Sequence, residues 1–410
     1  MNDFGSLNVL IPRSLCAVSD AINLEVNQDG FAAVQISWEK GIVSALKSDA
    51  SGIKANKILF PRFVEAHAHL DKSFSWQGNP NLKSNYDSAL SVNLEEHITR
   101  TPQRVILRAE NSIKIAIKNG YRAIRTHVDT YPGQEVSIWS ELFKLKSKYS
   151  EALKLQLVAL APMDYWSTLE GDELAKILTQ NDGILGGVIV PPLNKGELGD
   201  LIKNTLLLAN KYQLELDFHI DESSRDPGIG IKLLLKILNK LKIKVPITCS
   251  HLSSVSLLKN KQIEILGKEL SDKNIKVIAL PMTNFWLLNR DENNTPIKRP
   301  IAPIKQLQNK FVDVSIGSDN VQDSWYPFGN FDPFYLMSFA MPMMQINPWD
   351  RLSLSALCTA PARLLNLDWD GIIKEGCPAD FVVIDGISWA DIFKGDLKRK
   401  VFLKGNLYEK

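Results

Sequence analysis

Through the middle of the chain, short β-branched runs that end in polar residues alternate with longer stretches whose apolar residues recur at helical spacing. The runs close at Phe63–His69, Ala123–Asp129, Leu155–Ala161, Gly187–Val190, Leu216–Glu222, Pro246–His251, Lys276–Pro281 and Asp313–Asp319. Eight strands alternating with helices are what a (β/α)8 TIM barrel of the α/β class requires. The helical stretches have identifiable signals. Thr101-Pro102 offers an N-cap and a proline at the first helical position, Val105 to Ile117 supply an apolar stripe, and Gly120 ends it. Gly199 to Tyr212, Gly230 to Ile243 and Lys259 to Asn274 place apolar residues on one face and lysines outside.

The two ends follow a different rhythm. Ala33–Trp38 and Gly41–Leu46 near the start, and Asp380–Asp385 and Lys400–Lys404 near the finish, alternate with the period of antiparallel strands. Neither end alone can bury much surface, so a joint small β-sandwich domain is expected. The expected division is residues 1–60 and 366–410 in that sandwich and 61–365 in the barrel.

Composition narrows the class. The 410 residues are 45% hydrophobic and 23% charged, which excludes a disordered chain, a collagen-like fibre and a membrane channel. Lys and Arg total 48 against 46 Asp and Glu, too even a balance to announce a nucleic acid or an anionic membrane as partner. Cys16, Cys249, Cys358 and Cys377 are scattered with no C-x-x-C pair, which favours a reducing cytoplasm over a secreted disulfide framework. The first residues lack a cationic start followed by a long apolar core and do not read as a signal peptide.

Candidate chemistry comes from six histidines. His67 and His69, in Glu65-Ala-His-Ala-His-Leu-Asp-Lys72, stand two apart and face the same side of a strand. His127, His219 and His251 each close a predicted strand, as does Asp319, and in a barrel all these ends converge on one mouth. Only His97 falls outside the set, and it reads as ordinary helix or surface polarity. Imidazole nitrogens with one carboxylate suit zinc or ferrous iron better than magnesium or calcium.

These residues resemble the amidohydrolase superfamily, specifically its cytosine deaminase-like branch. The resemblance runs through Phe63–Lys72, Arg125-Thr-His-Val-Asp129, His219-Ile-Asp-Glu222, Ser250-His251 and Gly317–Gly329, with Gly371–Asp385 similar to the family's returning sandwich segment. It implies His67, His69, His219 and Asp319 as ligands of one divalent metal, Glu222 as proton shuttle, and His251 as the group that polarises substrate or holds hydroxide. Asp319 would also accept the proton of the attacking water. Many members hold a second metal through a carboxylated lysine at the end of strand four; here that tip reads Val188-Ile-Val-Pro-Pro-Leu193, and Lys195 beyond it reads as a solvated loop residue, so one metal is expected. Homo-oligomers are common in the branch, which makes one the expectation here.

Lesser candidates carry alternatives. Lys72 either contacts a substrate oxygen or pairs with Asp71 or Asp129, Trp325 either stacks on a planar substrate or serves as lid or core, and His127 either supports a ligand or is packed in the barrel. Two positions depart from cytosine deaminases proper: Met163 stands where they carry a glutamine, and Asn320 where they carry a second aspartate. The expected function is metal-dependent hydrolytic deamination of cytosine or a related amino-heterocycle. The alternatives are hydrolysis of an N-substituted triazine or other cyclic amidine, and an inactive barrel acting as an assembly subunit. The last predicts a lost ligand, and none is missing. Nucleic-acid editing is disfavoured because those deaminases use a Cys/His zinc motif that this chain lacks.

Overall fold

A computed structural model describes residues 4–18, 23–48, 55–133 and 135–408. The chain forms two compact units. One gathers both chain ends with Lys114–Ala123 and the segment from Phe331 onward; the other holds Glu65–Ile113 and Ile124–Asn330.

In the first unit, strands from both ends hydrogen-bond into one mixed sheet. β1 (Phe4–Pro12) pairs antiparallel with β2 (Phe31–Glu39), which pairs with β3 (Ile42–Ser48); β4 (Lys57–Pro61) lies parallel to β1 on its other side. The pairing of β1 with β4 leads on to three strands from the far end of the chain. The alternation in Ala33–Trp38 is that of a strand whose Val34, Ile36 and Trp38 point into the core, where they meet Val9, Ile11 and Leu59. Between β2 and β3, Lys40 and Gly41 both take positive φ (50° and 78°), the two-residue turn whose twist matches that of the strands.

The second sheet has eight strands in sequential order. They are β5 (Phe63–Ala68), β6 (Tyr121–Asp129), β7 (Lys154–Ala161), β8 (Ile184–Ile189), β9 (Leu216–Ile220), β10 (Ile247–His251), β11 (Lys276–Ala279) and β12 (Val314–Ile316). Neighbouring strands from β7 to β12 all pair in parallel. A further parallel bridge, Ala68 to Asp319, brings the first strand to the end of the last, and the Asp319 amide donates to the His67 carbonyl at 2.9 Å. This is the closed (β/α)8 barrel that the alternation predicts, accompanied by a small β domain from the two ends. β13 (Phe381–Asp385) pairs antiparallel with β4 and with β14 (Arg399–Leu403), and β14 pairs with the short β15 (Asn406–Leu407), completing the seven-stranded sheet.

The expected helices are present over Pro102–Asn119, Lys195–Tyr212, Ile229–Leu238 and Asn260–Asp272. Lys195 is exposed in the first turn of its helix rather than in a loop. A further helix over Tyr86–Thr99 follows the first barrel strand, capped by the Asn85 side chain on the Ser88 amide. Among the described residues, no helix is long and apolar enough to cross a membrane.

Candidate active site

A strand that ends at the barrel mouth presents its last residues there, and the polar endings of these strands converge. His67 and His69 leave β5 on the same side. The register sets Ser250 of β10 beside His219 of β9, and β12 runs on through Gly317 and Ser318 to Asp319. All are buried. His67 Nε2 and His219 Nε2 each lie 3.3 Å from His69 Nε2, and Asp319 Oδ1 lies 3.5 Å from His67 Nε2 and 3.3 Å from His69 Nε2.

Protons do not explain this cluster. Burial first, then the neighbouring imidazoles, lowers His67 and His219 well below the usual histidine range, so both are neutral. His67 Nδ1 lies 3.0 Å from Ser250 Oγ, whose hydroxyl in turn donates to Asp217 Oδ1 at 2.8 Å. That relay places the His67 proton on Nδ1 and turns the Nε2 lone pair toward His69. The ligand nitrogens of His67, His69 and His219 all lie within 4.8 Å of one another. Zinc–imidazole bonds of about 2.0–2.1 Å in tetrahedral geometry place neighbouring nitrogens about 3.3–3.4 Å apart, the spacing seen here. These residues therefore fit a divalent metal.

His127 lies behind the cluster. Its ring stacks on His67 with centroids 3.7 Å apart, and its Nε2 is 3.3 Å from Asp217 Oδ1. Arg125 binds the other oxygen of Asp217 at 2.9 Å, so the carboxylate is fixed from three sides. His97 is partly exposed and packs on Tyr131, away from the cluster.

Beside the histidines, Asn284 bridges the two residues read as proton-handling groups. Its Nδ2 donates to Glu222 Oε1 at 3.1 Å and to His251 Nδ1 at 3.0 Å. The His251 ring accepts at Nδ1 and so carries its proton on Nε2, which has no protein partner. Burial above all lowers His251 to about 4, leaving it neutral at ordinary pH. Burial, then the Asp319 carboxylate, pushes Glu222 well above the usual carboxylate range, with Lys72 opposing. Sequence reasoning missed Asn284. It sits in the helix Pro281–Leu287 that follows β11, and a lone asparagine has no spacing to mark it.

His69, His219, Glu222, His251 and Asp319 line a cavity of 560 Å³, within the roughly 300–1,000 Å³ typical of small-molecule sites. Met163, Asn320, Trp325 and Lys72 line it too. Lys72 binds Asp129 at 2.8 Å and lines the cavity at the same time. Burial alone would lower its pKa, but Asp129, Asp71 and Asp323 outweigh burial and keep it charged. Asn320 donates to Asp323 Oδ2 at 2.8 Å. Trp325 meets Tyr86 edge to face at 5.1 Å and is only partly covered, on the cavity wall rather than in the core.

Comparison with known proteins gives the family and similar folds. The sequence profile described as "Amidohydrolase family" matches residues 176–401. A pterin deaminase of Rhizobium rhizogenes (strain K84 / ATCC BAA-868) is 26% identical over 372 residues, 89% of this chain and 84% of that protein. N-isopropylammelide isopropyl amidohydrolase of Pseudomonas sp. (strain ADP) is 24% identical over 354 residues, 84% of this chain and 83% of that protein. In fold, the chain is similar to 5-methylcytosine deaminase from Klebsiella pneumoniae liganded with 5-fluorocytosine, with a TM-score of 0.81, 21% identity and coverage of 99% of this chain and 97% of the other.

Proposed function

The chain belongs to the amidohydrolase family, and from that premise we propose that it is a metal-dependent hydrolytic deaminase of an amino-substituted heterocycle. His67, His69, His219 and Asp319 would hold one divalent ion, zinc or ferrous iron. Such an ion supplies Lewis acidity and brings the pKa of a water to about 7. The observation that carries the reading is the Glu222–Asn284–His251 bridge, buried beside the histidine cluster, whose Glu222 and His251 ends line the cavity.

The chain's own groups divide the labour. His251 Nε2–H donates to the substrate, because Asn284 occupies Nδ1. Asp319 takes a proton from the attacking water as its oxygen bonds to the ring carbon. Glu222, whose carboxyl pKa burial pushes up, gives a proton to the departing amine. The carbon–nitrogen bond breaks and ammonia leaves, the hydroxyl proton passes to the neighbouring ring nitrogen as the carbon becomes a carbonyl, and the proton held on Asp319 returns to Glu222. Lys72 and Asp129 neutralise each other at the wall, and Trp325 offers a face for a planar ring.

Free cytosine is a poor substrate in this reading. Met163 gives a thioether where an amide would pair with the pyrimidine edge, and Asn320 is neutral where a carboxylate would favour a protonated ring nitrogen. Losing recognition that a site is built around costs up to about 10⁴–10⁵ in discrimination. Two readouts test the proposal. Metal-reconstituted protein is screened for ammonia release across pyrimidines, purines, pterins and triazines, and release from none of them would refute the activity. A kcat/KM on cytosine above about 10⁴ M⁻¹s⁻¹, the lower end of ordinary enzymes, would show that Met163 and Asn320 do not matter.

A further inference from the structure

The cavity wall is chemically divided by strand. Most of its polar groups follow the first, second, fifth, sixth and eighth barrel strands, from His69 and Lys72 to Asp319 and Asn320, and the helix Tyr86–Thr99 adds Tyr86, Asp87 and Asn93. The third and fourth strands, β7 and β8, contribute Leu160, Met163, Val188 and Val190, and the helix after β8 adds Leu198 and Leu201. Neighbouring strands are adjacent in the barrel, so these six residues form one continuous sector. Met163 is buried, whereas the other five are only half-covered.

The sector offers almost nothing for a polar ring edge to pair with. Pro162, Pro191 and Pro192 interrupt its backbone and carry no N–H. Asp164, the one acid on this side, is exposed and turns its carboxylate back onto the Tyr165 amide at 3.1 Å. The sector is also built to size. A Cβ at Gly187 of β8 would come 2.4 Å from Met163 Sδ, so glycine there makes room for the thioether. A cavity of 560 Å³ exceeds what a single six-membered ring fills.

We propose that the heterocycle carries an apolar substituent, remote from the carbon that loses its amine, and that Leu160, Met163, Val188, Val190, Leu198 and Leu201 form the subsite that receives it. This rests on the deaminase reading, and it adds the class of substrate. Substituent and reacting carbon are held by different strands of one cavity wall, the substituent by β7 and β8 and the carbon by the groups that follow β9 and β10. Apolar contact with β7 and β8 therefore orients the ring toward Glu222 and His251 without competing for their hydrogen bonds. The contact also covers surface that otherwise stays wet.

The test is a homologous series on the full-length, zinc-loaded protein. Pterins with hydrogen, methyl, propyl or phenyl at the ring position farthest from the amine, and the matching cytosines, are compared by kcat/KM. Each CH2 that enters the sector should raise kcat/KM about four-fold until the subsite is full. Leu201→Asp, which sets a carboxylate in the sector, should flatten that rise, and Gly187→Ala, which pushes Met163 inward, should shift the optimum to a shorter substituent. A flat or falling series in the wild-type protein, with the parent ring turned over, overturns the subsite and leaves the deaminase reading intact. If no member loses ammonia, the deaminase reading falls, and calorimetric affinity for the same compounds decides the subsite alone. A rise with substituent length supports it, and equal affinities refute it.

Discussion

Asn284 has two amide hydrogens and spends one on Glu222 and one on His251, so a single side chain fixes both the carboxylate and the imidazole tautomer. In zinc-loaded protein with ¹⁵N-labelled histidine, His251 should appear protonated at Nε2. Asn284→Asp presents an acceptor to Nδ1 and should move that proton, lowering kcat about 10–100-fold with the metal content unchanged. A wild-type His251 protonated at Nδ1 would remove Asn284 from this role. Glu222→Gln keeps the size and the bond to Asn284 but removes the ionisable proton, so turnover should fall by about 10²-fold or more with metal retained. Near-normal kcat in that variant would take Glu222 out of the mechanism. Histidines were legible in the sequence because a rare residue falling repeatedly at strand ends is a pattern. Asn284, Ser250 and Asp217 were not, because their meaning lies in which neighbour each one touches across strands.

At the scale of elements, legibility followed the burial of apolar faces. Pro102–Asn119 and Asn260–Asp272 could be read from their stripes, since each packs that stripe inward. The helix Tyr86–Thr99 has the opposite polarity: Asn93 and Glu96 are among its buried residues, while Leu90, Leu94 and Ile98, spaced four apart, are exposed. Its inner face is held by charge rather than by apolar contact, which a search for apolar stripes passes over. Arg100, just beyond its end, is buried and binds Glu96, reaches Asp71 at 3.2 Å and Asp129 at 3.3 Å, and donates to Asn93 Oδ1 at 3.2 Å. Arg108 holds the other oxygen of Glu96 at 2.8 Å. Arg100→Leu removes one partner from three buried carboxylates and should cost about 3–5 kcal/mol of unfolding free energy. Urea denaturation measures this, and limited proteolysis should cut within 86–99 sooner in the variant. A loss below about 1 kcal/mol, the worth of an exposed pair, would mean that the cluster is solvated and does not pin the helix.

For the whole molecule, the order of the barrel strands makes the proposed metal site a clasp. His67 and His69 come from the first strand, His219 from the fifth and Asp319 from the end of the last, so residues 67 and 319 meet only when the sheet closes. The Ala68–Asp319 bridge lies between those ligands. An ion bound there engages the native state at both sides of the closure, and an unfolded chain offers no such site. Stability should therefore rise with zinc by mass action, about 2.7 kcal/mol when free zinc is ~100-fold above its Kd. Stoichiometry should be one ion per chain, because the tip of strand four presents Val190 and Pro191 while Lys195 is exposed in the next helix and absent from the cavity wall. Elemental analysis after reconstitution reads the stoichiometry, and denaturation with and without chelator reads the linkage. His219→Ala deletes one ligand without touching the closing bridge, so it should abolish the zinc-dependent gain while the metal-free protein still unfolds cooperatively. Two equivalents per chain would contradict the single site. A zinc-dependent gain that survives in His219→Ala would place the ion somewhere other than this cluster.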